Sequence, residues 1–198
     1  MSSIKVIQTY YNGYLFRSRL EARWAVFFDA CGVEYEYEPE GYDLGNGMMY
    51  LPDFLLHRVD GRAGGDLFVE VKGQMNDNDA RKINRFAELG MEESDYCEKS
   101  KTAILVVGKL PAGDSIKDII RYVEDRAYND HKHWPNEFNF RTIDGDYFAA
   151  HPGVNRHGKF ELFGDDSGYL AAMDPVRTEK AYRLARCARF EHGESPQF

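Results

Sequence analysis

From Leu67 to Lys72 the chain alternates with a period of two, which puts Leu67, Val69 and Val71 on one face of a strand and Phe68, Glu70 and Lys72 on the other. Glu70 and Lys72 therefore project side by side. Upstream, Tyr50-Leu51-Pro52-Asp53-Phe54-Leu55-Leu56 reads as a second strand, and the Gly- and Asp-rich stretch from Asp60 to Asp66 reads as the turn that returns it against the first. That turn brings Asp53 beside Glu70. Hydrophobic packing alone does not gather two carboxylates and an ammonium on one sheet, because each charge withdrawn from water carries a desolvation cost. A divalent metal between the carboxylates removes the objection.

The elements on either side read as a frame for this pair of strands. Val6 to Tyr11 and Tyr14 to Arg17 flank Asn12-Gly13, the favoured two-residue hairpin turn because both central positions need positive φ. Ser18 then caps a helix to about Ala30, with Leu20, Trp24, Phe27, Phe28 and Cys31 on its core side and Gly32 as its stop. Ser18-x-x-Glu21 matches a capping box, in which the glutamate reaches back to the serine amide. Val33 to Glu38 alternates strictly, giving a strand with Val33, Tyr35 and Tyr37 inward and a solvated row of glutamates outward. Asn46-Gly47 offers a further tight turn before the Asp53 strand.

After Lys72, residues 77 to 89 fit a short helix with Ala80, Ile83, Phe86 and Ala87 inward and Arg81, Lys82 and Arg85 outward. Thr102 to Val107 is a β-branched apolar run suited to a strand buried on both faces. Asp114-Ser115 caps a helix carrying Ile116, Ile119, Ile120 and Val123, and residues 138 to 164 read as short strands around Asp144-Gly145 and Arg156-His157-Gly158 turns. Asp174 and Pro175 open a last helix running to about His192-Gly193. Along it Arg177, Lys180, Arg183, Arg186 and Arg189 recur at every third position, a basic stripe that is either a solvated face or a phosphate-contacting one.

At 198 residues, with 43% hydrophobic and 29% charged content, one well-packed domain is expected. The sequence contains no apolar run of membrane-spanning length and no secretory signal at its start, so a cytoplasmic protein without a membrane partner is expected. Cys31, Cys97 and Cys187 are odd in number and unpaired by spacing, which argues against a disulfide framework and a thiolate metal site. The net charge of −8 is not that of a typical nucleic-acid binder, so any phosphate contact must come from local basic stripes.

Proline-aspartate or Glu-x-Lys alone says little. Taken together, a helix with Glu21, a strand carrying Pro52-Asp53, a strand carrying Glu70-x-Lys72, then a helix and a buried strand resemble the PD-(D/E)xK nuclease superfamily, over roughly residues 10 to 110. The resemblance implies an α/β, restriction-endonuclease-like αβββαβ core with a mixed central sheet, here followed over 111–198 by C-terminal β-hairpins and a terminal helix. It implies Asp53, Glu70 and Lys72 as catalytic residues, Glu21 as the first-helix glutamate, and Mg²⁺, with Mn²⁺ as a substitute, held by Asp53, Glu70 and the Val71 carbonyl. Such a metal keeps several waters, lowers the pKa of one of them and neutralises charge on the scissile phosphate, while Lys72 orients or deprotonates that water or stabilises the oxyanion. The implied activity is hydrolysis of DNA phosphodiesters, with RNA and a protein partner or homodimer left open and with Arg81, Lys82, Arg85, Arg183 and Arg186 as candidate nucleic-acid contacts. Gln74, directly after the strand, is a further candidate by proximity.

Other signals are weaker. Asp130-His131-Lys132-His133-Trp134-Pro135 resembles half of an HNH motif but lacks the downstream partners, and His151 and His157 lack a third ligand at a recognisable spacing. There is no Walker loop, GxGxxG or GxSxG. The rival from another class is an acidic binding protein, an inhibitor or regulator on the same fold. Net charge favours it, and the complete Asp53, Glu70 and Lys72 set disfavours it.

Overall fold

The computed structural model describes residues 7–57, 66–92, 103–110, 139–141, 147–164 and 174–190. The architecture is mixed α/β, built on a seven-stranded sheet of order β11-β10-β9-β8-β7-β6-β3. In chain order its strands are β3 (Tyr35–Tyr37), β6 (Phe54–Leu56), β7 (Leu67–Val71), β8 (Ala103–Val107), β9 (Asn139–Arg141), β10 (Tyr147–Val154) and β11 (Phe160–Gly164). The β7–β8 pair is parallel and every other neighbouring pair is antiparallel. A parallel pair needs a crossover, and α2 (Asp77–Glu92) lies in the connection between them. The expected C-terminal strands pair antiparallel in sequence and extend this sheet, because β9 pairs with β8. The helix expected at Asp114-Ser115, the Asp144-Gly145 turn, the Asp130 to Pro135 stretch and most of the Asp60 to Asp66 turn lie outside the described residues.

Side-chain alternation divides the core into two layers. Leu67, Val69, Val71, Leu105 and Val107 pack on one face with α1 (Arg19–Ala30) and the final helix α3 (Pro175–Cys187), whereas Phe68, Ile104 and Val106 face Ile83 and Phe86 of α2. β8 is thus buried on both faces, as its apolar run predicts. The first layer also takes in the hairpin of β1 (Thr9–Tyr11) and β2 (Tyr14–Phe16), whose turn places Asn12 and Gly13 at φ 46° and 87°. A second small hairpin, β4 (Tyr42–Asp43) with β5 (Met49–Tyr50), contributes Leu44 and Tyr50 to the other layer.

Three expectations need correction. The segment Tyr50 to Leu56 is not one strand, since Tyr50 pairs with Tyr42 in the side hairpin and only Phe54 to Leu56 join the sheet. Pro52, which has no N–H to donate, stands at the break. Helix α1 is buried around most of its circumference, with Glu21, Ala22, Trp24, Ala25, Val26, Phe27 and Phe28 all inside. The sheet, α3 and the β1–β2 hairpin enclose it between them. Its C-terminus closes as a Schellman motif, Val33 N–H on the Phe28 carbonyl and Gly32 N–H on that of Asp29, with Gly32 at φ 68°. Helix α3 ends at Cys187, earlier than expected, and the extended chain beyond it buries Ala188 and sets the Phe190 ring edge-on to Tyr11 at 5.8 Å.

The α1–α3 contact centres on Tyr182, which is fully buried, stacks near Phe27 at 4.5 Å and donates its hydroxyl to the Pro152 carbonyl at 2.7 Å. Tyr182→Ala should destabilise the protein by ~3–5 kcal/mol, as truncation of a buried aromatic does. Tyr182→Phe, which leaves only the Pro152 carbonyl unserved, should cost ~1–2 kcal/mol. Urea unfolding of both variants checks the pair, and equal losses would show that the hydroxyl's bond to β10, rather than the ring packed against α1, carries the stabilisation.

Candidate active site

Continuing the β6–β7 register one step past its last pair, Phe54 with Val69, sets Asp53 opposite Glu70. Asp53, Glu70 and Glu21 are all buried, at 3%, 3% and 6% exposure, so three carboxylates are held out of water where composition alone would leave them solvated. Each is served by specific donors. The Val71 amide donates to Asp53 Oδ2 at 2.7 Å, and Arg17 Nη2 donates to Oδ1 at 2.6 Å. Lys72 Nζ lies 2.7 Å from Glu70 Oε1, and the Tyr50 hydroxyl donates to Oε2 at 2.6 Å.

Glu21 is the capping-box residue with a different partner from the one expected. Ser18 caps α1 by accepting from the Glu21 amide at 3.1 Å and returns its hydroxyl proton to Glu21 Oε1 at 2.6 Å. Glu21 Oε2 accepts from the Arg17 amide at 3.1 Å, rather than from the Ser18 amide, and from the Tyr37 hydroxyl at 2.6 Å. The same glutamate thus ends the helix and fixes the backbone from which Arg17 reaches Asp53. Glu38, expected on a solvated face, is also drawn in, with Oε1 2.6 Å from Arg17 Nε.

Burial pushes the Asp53 carboxyl well above its ordinary 3.8, and the charges of Glu70 and Glu21 push the same way. The Val71 amide and Lys72 pull against this, yet the net direction is upward even with a guanidinium in contact. Burial works to lower Lys72, but Glu70, Asp53 and Asp79 outweigh it and hold the ammonium above the usual lysine value. Tyr50 is raised well beyond an ordinary phenol by burial and by Glu70, which keeps it a donor.

A cleft of about 290 Å³ opens over this cluster, lined by Arg17, Tyr50, Glu70, Lys72, Asp79 and Lys82 among others. Of the candidate nucleic-acid contacts, Lys82 reaches the cleft and hydrogen-bonds the Met49 carbonyl at 3.0 Å. Arg81 is exposed beside it, while Arg85 turns half-buried towards the Leu44 carbonyl at 3.4 Å. Arg183 and Arg186 do not line the cleft, since α3 packs on α1, across the sheet from α2. Gln74 is exposed, and His157 lies in the exposed turn before Gly158.

Among the described residues no three His, Cys, Asp or Glu side chains converge closely enough to enclose a metal by themselves. The donor set is nonetheless hard oxygen, and Mg²⁺ is usually held by one or two carboxylates with waters and substrate phosphates completing the shell. Asp53 and Glu70 fit that pattern, because burial, which chiefly raises Asp53, and the neighbouring charges of Glu70 and Glu21, which add to it, are what a bound cation would offset. Val71 meets Asp53 through its amide. Among the described residues no helix is long and apolar enough to cross a membrane. Compared with protein-family models, curated proteins and solved structures, the chain finds no match.

Sequence reasoning missed Arg17, Tyr37 and Tyr50. Two of them carried a usable signal: Arg17 directly precedes the cap of the helix bearing Glu21, and Tyr50 precedes Pro52-Asp53 by a pair of residues.

A raised carboxyl retains, in the folded protein, a proton that the unfolded chain gives up near its ordinary value of 3.8, so its contribution to stability is present at low pH and is lost as pH rises through the folded pKa. In EDTA, the stability difference between wild type and Asp53→Asn should therefore shift in favour of the variant as pH rises from ~4 towards neutrality. Thermal unfolding across that range measures it, and a pH-independent difference would mean that Asp53 titrates normally.

Proposed function

We propose that the protein is a divalent-cation-dependent nuclease of PD-(D/E)xK type that hydrolyses DNA phosphodiester bonds. The observation that carries this reading is the convergence of Pro52-Asp53 and Glu70-x-Lys72 at adjoining strand positions beneath one cleft. The order of helix, strands, crossover helix and parallel strand around them supports it, and so does the buried Glu21 on the first helix. Cytoplasmic residence belongs to the same proposal.

Asp53 and Glu70 would hold Mg²⁺ or Mn²⁺, which when bound activates water and offsets charge on the scissile phosphate. Their inner oxygens are already fixed, Oδ2 of Asp53 by the Val71 amide and Oε2 of Glu70 by Tyr50. Oδ1 and Oε1, which carry Arg17 and Lys72, are the pair left for exchange. Lys72 is held as an ammonium, which favours a role as donor to negative charge growing on the phosphoryl oxygens over a role as base. Lys82, at the cleft wall, would contact a neighbouring phosphate.

The assay is cleavage of labelled linear, nicked and single-stranded DNA with and without Mg²⁺ or Mn²⁺, alongside calorimetric cation binding. Glu70→Gln should weaken cation binding and cleavage together. Lys72→Ala keeps the oxygen ligands, so cation binding should survive while cleavage falls by about a hundredfold or more. Wild-type cleavage rates in Lys72→Ala at saturating Mg²⁺ would remove Lys72 from the chemistry, and a wild type that neither binds cation nor cleaves would return the protein to the acidic binding class.

A further inference from the structure

The geometry points to Arg17 as a resident counter-cation that a divalent metal displaces from Asp53 and that then serves as a phosphate-binding residue for the substrate. This rests on the nuclease reading and adds to it a residue outside the Asp53, Glu70 and Lys72 set. Arg17 Nη2 occupies Asp53 Oδ1 at 2.6 Å, the carboxylate oxygen not fixed by the Val71 amide. A cation bound there and the guanidinium would compete for the same lone pairs.

The residue is built to be released at one end only. Its backbone amide is anchored on Glu21 and on the Tyr37 hydroxyl, and its Nε is tethered to Glu38 Oε1 at 2.6 Å. Glu38 holds that position in a left-handed conformation, φ 49°, which a residue with a side chain adopts only at a steric cost and which clusters at functional sites. The side chain of Arg17 is 51% exposed and lines the same cleft as Lys72 and Lys82, so swinging off Asp53 keeps it over the cleft. A planar guanidinium fork matches two phosphate oxygens at once, which an ammonium does not.

Cation exchange gives a readout independent of cleavage. In calorimetric titration with Mn²⁺ and no nucleic acid, Arg17→Ala should bind roughly two- to fivefold tighter than wild type, because an exposed ionic competitor has been removed. At saturating Mg²⁺, the same variant should bind an uncleaved phosphorothioate duplex more weakly, with a salt slope reduced by about one. Arg17→Lys, which restores charge without the fork, should return cation affinity towards wild type but not duplex affinity. Should Arg17→Ala fail to fold, Arg17→Lys and Glu38→Gln carry the test, since freeing the tether should also weaken duplex binding. Unchanged or weaker Mn²⁺ binding in Arg17→Ala, with wild type binding and cleaving normally, overturns the Arg17 proposal alone. Absence of cation binding and cleavage in wild type overturns it together with the nuclease reading.

Discussion

Holding three carboxylates out of water is the constraint on which the rest of this structure depends. A buried charge without partners costs several kcal/mol, so every oxygen of Glu21, Asp53 and Glu70 must find a donor. Each does: Ser18, Tyr37 and the Arg17 amide serve Glu21, Arg17 and the Val71 amide serve Asp53, and Lys72 and Tyr50 serve Glu70. These donors come from the N-terminal hairpin, the start of α1, β3, β5 and β7. The cluster thus ties together segments that otherwise belong to different layers.

Packing is what brings those donors to the same place. Phe16 is fully buried, 4.4 Å from the Tyr37 ring and 5.9 Å from Phe54, so the residue preceding Arg17 and the residue following Asp53 share one aromatic cluster. Tyr37 joins two environments, its ring in the core and its hydroxyl on Glu21, as an aromatic with a polar tip does. Helix α1, enclosed on most sides with Trp24 donating to the Gly108 carbonyl at 2.8 Å, cannot slide without disturbing the Ser18–Glu21 cap. Core rigidity and site geometry are therefore one property.

Much of this was legible in the sequence because it is local. The alternation in Leu67 to Lys72, the Asn12-Gly13 turn, the Ser18 cap with its Gly32 stop and the doubly buried β8 all follow from period and turn chemistry within a few residues. The opposition of Asp53 and Glu70 was also readable, since antiparallel strands joined by a turn have their register constrained by the apolar faces. What periodicity could not supply is any bond between distant segments. Arg17 to Asp53 spans 36 positions and Tyr37 to Glu21 spans 16, and neither leaves a mark in local pattern. The split at Pro52 was misread for a related reason. Tyr50 alternates correctly for β6, but its pairing with Tyr42 is decided by the Gly45-Asn46-Gly47 turn, whose three residues all adopt positive φ.

If the substrate is DNA, as proposed, the charge balance of the cleft bears on how a chain of net charge −8 would meet a polyanion. Arg17, Lys72 and Lys82 stand against Glu70 and Asp79 in the lining, with Asp53 beneath. Without a metal, positive and negative groups nearly cancel there, and a phosphate backbone gains little from approaching an acidic protein. On the proposed reading a divalent cation on Asp53 and Glu70 would change the sum twice, by its own charge and by freeing the guanidinium and ammonium that pair with those carboxylates. Cation and nucleic acid would then favour each other's binding, and thermodynamic linkage would make that preference mutual. On the proposed reading the protein would engage phosphate chiefly when the metal is bound, and its negative surface would disfavour non-specific contact.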